Sequence, residues 1–283
     1  MHSHPCPGLA ADWLNGWLAA LGFTLMLPEV QLAWTAGPAP HAVLHTRDHR
    51  PLATQLADVF PDLADLTRLA VAEHAADPPI HGQNWSCEEY AGRAAAARAH
   101  GDFTLGACYT DLATDGRDPQ RTTTGKSQFN VGAQGANPIG KRLRDCRAAI
   151  TDPLVGWIED TLTGHATRVD LNGLGFDYRR LTPTGVRADP VIEVLAFHGL
   201  AYLPVRGHGS QQPVTRGWTA RPAQFTWIAW RDRLGAAGID ALLDQYWAGG
   251  SHRLATAVYA SRSYNGKGQN DATRGYAAIR IGP

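Results

Sequence analysis

All three lysines of the chain directly follow a glycine, at Gly125-Lys126, Gly140-Lys141 and Gly266-Lys267. A glycine lets another group approach the backbone closely, so each ammonium sits where a phosphate can meet both its charge and nearby N–H groups. Gly125-Lys126-Ser127 also matches the end of a nucleotide-binding phosphate loop. The match stops there, because the first glycine of that motif falls on Gln120 and the residues after Ser127, Gln128 to Gly132, open no evident helix. The chemistry left to these residues is contact with phosphate rather than its hydrolysis.

Arginines extend the same theme. A helix starting near Asn137 carries Lys141, Arg142, Arg144 and Arg147, opposed only by Asp145, while Leu143, Ala148 and Ile150 supply apolar contacts for docking. Toward the C-terminus, Arg262, Tyr264, Lys267, Gln269, Asn270 and Arg274 mix cations with an aromatic ring and amide donors. Guanidinium forks suit phosphate oxygens and guanine edges, and an interleaved aromatic suits base stacking. The residues expected to touch nucleic acid are therefore Lys126, Ser127, Gln128, Lys141, Arg142, Arg144, Arg262, Lys267 and Arg274. The plain alternative is a pair of solvated segments that bind nothing.

Other reactive residues do not assemble a site. His41, His45 and His49 recur every fourth position, which aligns them on one side of a helix or a strand. Pro40 and Pro51 bracket them and no nearby carboxylate or thiol pattern completes a metal centre, so the spacing alone leaves metal binding open. His198 lies in an apolar helix and reads as a satisfied core residue. Cys6, Cys87, Cys108 and Cys146 are far apart and read as free thiols. No residue is assigned a catalytic role, and no metal or cofactor is expected. Of the nine tryptophans, most sit in apolar settings. Trp218, in Arg216-Gly217-Trp218, is the one placed to serve as a stacking platform.

Behind these residues stands a chain of 283 residues, 44% hydrophobic, with Lys+Arg and Asp+Glu both at 26. That neutrality is an average. Basic against acidic residues number 6 to 14 over 1–120, 6 to 1 over 121–147, 9 to 10 over 148–251 and 5 to 1 over 252–283. A locally positive surface attracts a polyanion even on a neutral molecule. The same division suggests an acidic N-terminal region (1–120), a basic loop and helix (121–147) and a C-terminal region (148–283), with one compact domain as the other option. No run approaches the roughly 18 apolar residues of a membrane span, and the first residues lack the layout of a signal peptide. A cytoplasmic protein that does not engage a membrane is expected.

The elements that must position these residues form an α/β or α+β fold with mixed sheet elements and several helices. Periodicity predicts helices over Leu9–Leu21, with Gly22 as the stop, over 52–76 with a break at Pro61, over 86–100 and over Ile239–Trp247. Three more start at Asn137-Pro138, Asp152-Pro153 and Asp189-Pro190, each a polar cap followed by proline at the first helical position. Strands are predicted over Phe23–Leu27, Val30–Thr35, His41–Thr46, Phe103–Tyr109, Leu174–Tyr178, Leu200–Val205, Phe225–Trp230 and Tyr276–Ile281. One echo links the halves: Leu18-Ala19-Ala20-Leu21-Gly22 and Leu195-Ala196-Phe197-His198-Gly199 each lead through a short apolar run to a proline. It suggests a helix-glycine-strand duplication.

Several of these segments together carry a family likeness. Asp177-Tyr178-Arg179-Arg180, the run from Asp189-Pro190 to Gly199-Leu200, Leu203-Pro204-Val205, Arg216-Gly217-Trp218 and the early Leu18 to Gly22 helix resemble the large-subunit-like proteins of type I-U, or I-G, CRISPR interference complexes. The resemblance covers the first 30 residues and about 174 to 220. It implies a subunit of an RNA-guided DNA-binding assembly that contacts crRNA or target DNA and sits beside other CRISPR subunits, with cleavage left to a separate nuclease. Base pairing reads sequence in such assemblies, and the protein supplies backbone contacts. The expected function is therefore a non-catalytic nucleic-acid-binding subunit. An enzyme acting on phosphate esters or RNA, and a structural protein-interaction module, remain the alternatives.

Overall fold

The computed structural model describes residues 1–69, 71, 87–110, 125–126, 139–165, 169–170, 187–206, 214–220, 223–250, 252–265, 273–275 and 278–282. At its centre two helices cross, α1 (Leu14–Met26) and, late in the chain, the helix Pro190–Gly199. In α1 every residue from Leu14 to Thr24 is buried. A helix apolar on all sides belongs inside a protein, and the second helix, buried from Pro190 to Phe197, is of the same kind.

Gly22 and Gly199 explain how close the two helices come. A Cβ on Gly22 would overlap the carbonyl oxygen of Leu195, and a Cβ on Gly199 would overlap that of Leu18. Each glycine faces the residue four positions before the other, so the crossing is reciprocal. The sequence echo is thus a pair of matching helices packed on each other. Gly22 is a contact inside α1, not its stop, and Phe23 to Met26 continue the helix instead of forming a strand.

The N-terminal sheet orders its strands β1 (His2–Ala10), β3 (His41–Thr46), β2 (Gln31–Trp34), all antiparallel. The alternation in His41–Thr46 marked β3 correctly. Sequence periodicity misses β1 and starts a helix at Leu9, because Pro5 and Pro7 remove two backbone donors. An edge strand tolerates that loss, and among the described residues β1 pairs only with β3.

After α2 (Leu52–Ala57) and α3 (Leu63–Arg68), separated near Pro61 as expected, come α4 (Cys87–Ala99) and α5 (Thr104–Cys108). The predicted strand over Phe103–Tyr109 is therefore mostly helical. Only β4 (Tyr109–Thr110) is extended, paired with β5 (Gly125–Lys126). Next are α6 (Ile139–Ala149) and α7 (Leu154–Thr163), where Pro153 itself occupies the cap position and no side chain among the described residues caps the helix. After the short pair β6 (Val169–Asp170) and β7 (Arg187–Ala188), α8 (Pro190–Gly199) begins as expected. Asp189 accepts from the N–H groups of Val191 and Ile192, and from the buried Thr161 hydroxyl at 2.9 Å. Leu200–Tyr202 is a 3-10 turn rather than a strand, and β8 (Val205–Arg206) pairs with β9 (Val214–Thr215). The predicted strand over Leu174–Tyr178, and Asp177 to Arg180, lie outside the described residues.

The C-terminal sheet runs β10 (Trp218–Ala220), β11 (Ala223–Trp230), β12 (Ala255–Asn265), β13 (Thr273–Gly275), with β14 (Ile279–Gly282) also on β12 and α9 (Ala236–Gly249) between β11 and β12. Every strand pairing among the described residues is antiparallel. The fold is α+β. Tryptophans tie this sheet to the rest. The Trp17 indole donates to the Ile228 carbonyl at 2.8 Å, Trp227 to that of Ala11 at 2.7 Å and Trp230 to that of Leu32 at 3.2 Å. Leu32 and Leu234 exchange two backbone hydrogen bonds, at 2.8 and 3.0 Å. A single apolar cluster consequently extends from Cys6 to Tyr259. No helix among the described residues is long and apolar enough to cross a membrane.

Candidate nucleic-acid interface

The C-terminal basic residues are organised by strand register. In an antiparallel pair, directly opposed residues share a face and neighbours along a strand alternate. Gln224 stands opposite Arg262 and Arg274 opposite Tyr264. Positions 224, 262, 264 and 274 therefore lie on one face of the β11–β12–β13 sheet. Arg262 is exposed. The other face carries Trp218, Phe225 and Ser261, opposed in register, and Trp227 opposite Tyr259. Phe225 stacks on Trp227, and Trp227 on Tyr259, with ring centroids 5.7 and 5.9 Å apart. Trp218 is half-buried and packs against the core from the face opposite Arg262.

The arginine-bearing helix α6 docks on α3 and α8. Leu143, Cys146 and Ile150 are buried along one stripe, at the spacing a packed helix requires. Arg147 helps to fasten it. Its Nε donates to the Pro61 carbonyl at 2.8 Å and its guanidinium lies 5.9 Å from the centre of the Phe60 ring. Arg144 is half-buried, and its Nη1 is shielded from solvent without a hydrogen-bond partner among the described residues. Position 141 falls on the side of the helix away from the buried stripe.

Lys126, Lys141, Arg142 and Arg274 are placed by their backbone, in β5, α6, α6 and β13. Lys126 stands opposite Tyr109 in a strand pair, whereas a phosphate loop would wrap its lysine. Ser127, Gln128 and Lys267 lie outside the described residues. The structure brings Arg262 and Arg274 onto one sheet face and keeps Lys141, Arg142 and Arg144 on one helix. These two groups are mounted on different elements.

The three evenly spaced histidines part company. His41 Nδ1 lies 3.3 Å from the Thr35 hydroxyl, His45 Nδ1 lies 2.9 Å from the Ser3 hydroxyl, and the His49 ring meets that of His2. Among the described residues no group of three or more His, Cys, Asp or Glu is arranged to hold a metal ion. Cys6 is buried, and burial pushes its thiol up to about 12, which leaves it inert.

His198 corrects one expectation. It belongs to the core helix α8, but its Nε2 is shielded and has no hydrogen-bond partner among the described residues. Burial pushes its pKa down to about 4, with the nearby Asp102 opposing weakly. In the folded protein it is neutral at pH 7, while the unfolded chain takes up a proton near pH 6.5. Its contribution to stability is complete above about pH 6.5 and falls away toward pH 4, by on the order of 3 kcal/mol in all. Urea midpoints measured between pH 7 and 4.5 should drop more steeply in the wild type than in His198→Phe. Parallel slopes would exclude this histidine as the source.

Sequence reasoning missed the buried polar anchors. Asn15 donates to Glu193 at 2.7 Å between α1 and α8. Arg216, exposed over only 5% of its side chain, meets Asp240 at 2.6 Å and Asp244 at 2.7 Å on α9. Nothing local in the sequence marks these pairs, whose partners are 178, 24 and 28 residues apart. No protein family profile, no curated protein and no solved structure matches the chain.

Proposed function

We propose that the protein is a non-catalytic, nucleic-acid-binding subunit, serving an RNA-guided interference assembly of the type I-U kind that its sequence resembles. The observation that carries this reading is the shared sheet face of Arg262, Tyr264 and Arg274. The two cation positions are one strand and two residues apart with an aromatic position at the corner between them, the combination of charge and stacking group that single strands are held by. Two of the segments behind the resemblance, Leu18–Gly22 and Pro190–Gly199, form the central helix pair.

The test is retention of labelled single-stranded RNA and DNA by the purified protein, alone and with the other subunits of such a complex, across a salt series. Affinity should fall steeply with salt. Arg262→Ala/Arg274→Ala should weaken binding about tenfold or more and flatten the logarithmic salt slope by about 1.4, the share of two phosphate contacts on a single strand. Absence of retention at low salt, or an unchanged slope in the double variant, would sink the proposal.

A further inference from the structure

A second site lies in the region that is acidic on average, on the helix α3 against which α6 docks. Helix α4 carries Arg93, Ala96 and Ala97 along one face, at the i, i+3, i+4 spacing that aligns them, and His100, in the turn just past its end, lines the same cavity. The two alanines leave a floor between two polar ends about 10 Å apart. Across from them α3 contributes Asp65 and Arg68, and Asp102 closes one end of a cavity of about 480 Å³. That size lies within the range of sites that hold drug-sized molecules. Asp102 is held in place by the Thr104 N–H, which donates to it at 2.8 Å. The Arg68–Asp65 pair is long, at 3.6 Å, and both side chains are more than half exposed. Such a pair is worth little to the fold and is readily exchanged for a ligand. Phe103, next to Asp102, is 62% exposed, the most exposed of the large apolar side chains described.

We infer that this cleft between α3 and α4 binds a nucleoside phosphate, either free or as the end of a strand. Two guanidinium groups, from Arg68 and Arg93, supply forked donors for the phosphate. The carboxylates of Asp65 and Asp102 accept from ligand N–H groups, which a bare phosphate lacks and a nucleobase or its amino group offers. The exposed ring of Phe103, which follows the lining residue Asp102 in the chain, offers a base an aromatic surface to stack on. The strand-end form of the proposal rests on the nucleic-acid reading above, and the free-nucleotide form does not.

Calorimetric titration with adenosine and guanosine 5′-monophosphate, with inorganic phosphate and with a short polyglutamate peptide decides it. Saturable one-to-one binding of at least one nucleotide is expected, tighter than phosphate or peptide. Arg68→Ala/Arg93→Ala should weaken it at least about tenfold. Ala96→Trp, which fills the floor and keeps every charge, should weaken it equally, with the far-ultraviolet circular dichroism of both variants unchanged. Neither nucleotide binding, phosphate or peptide binding as tightly, or Ala96→Trp having no effect would each overturn the assignment. The hairpin variant Arg262→Ala/Arg274→Ala separates the two proposals. Strand binding that survives without nucleotide binding leaves the functional reading standing and removes the cleft. Nucleotide binding without any strand binding does the reverse.

Discussion

Gly199→Ala should lower the melting temperature by about 6–12 °C, and Gly22→Ala should do the same. In an open helix this substitution stabilises, by up to about 1 kcal/mol of helix propensity. Here each new methyl would run into a carbonyl oxygen of the other central helix, Leu195 for Gly22 and Leu18 for Gly199. Separating α1 from α8 disturbs their buried contacts along the crossing, and overpacking of that kind costs about 3 kcal/mol. A kilocalorie per mole corresponds to about 2–4 °C for a chain of this size class. The sign of the change is the test, since stabilisation by either variant would mean that the crossing is loose. The double variant carries a second expectation. Once one methyl has pushed the helices apart, the other meets less resistance, so the two losses should add to less than their sum. Thermal melts of the two single variants and the double variant measure both.

Loss of the two carboxylates around Arg216 should cost about 3–5 kcal/mol, more than loss of the arginine itself. The guanidinium is almost fully buried and donates to the Tyr202 carbonyl at 2.9 Å as well as to Asp240. Asp240→Ala/Asp244→Ala strands that cation without its counter-charges, the situation in which a buried charge becomes strongly destabilising. Arg216→Met removes the cation and keeps an apolar stem in its place. The aspartates, 55% and 48% exposed, then return to water, so the loss should be smaller. Urea unfolding of both variants gives the ranking. An arginine variant as unstable as the aspartate pair, or more so, would show that the ion cluster is not what secures α9.

The nucleic-acid reading and the fold draw differently on the sequence. The segment His41–Thr46 alternates cleanly, and Ile239–Trp247 repeats with a helical period, so local pattern was enough for β3 and for most of α9. Phe23-Thr24-Leu25-Met26 has no such resolving power. An apolar run reads equally as a buried strand or a buried helix, and it is helical because α8 packs against it. Phe103–Tyr109 failed for a similar reason, since five residues of small and apolar character carry too little period to separate a short helix from a strand. The extended Leu200–Val205 reading gave way to a 3-10 turn that brings the Tyr202 hydroxyl within 2.9 Å of Thr24, a partner no local pattern can announce.

The candidate sites divide along the same line. Composition located both basic segments, and helical spacing gathered Lys141, Arg142 and Arg144 onto α6. Only the register of β11, β12 and β13 put Arg262, Tyr264 and Arg274 on a common face, because a slip of one residue would have sent them to the core side. The cleft needed tertiary structure altogether. Arg93, Ala96 and Ala97 are aligned by their spacing on α4, but Arg68 comes from a helix and stands 25 residues before Arg93, and it joins them only through packing. By itself the sequence determined the charge asymmetry of this chain, the caps and periods of its clearest elements, and the matched glycine helices. Which faces those elements turn toward each other, and hence which charges are grouped on the surface, was decided by long-range contact. Burial energy depends on neighbours that the chain meets only when folded.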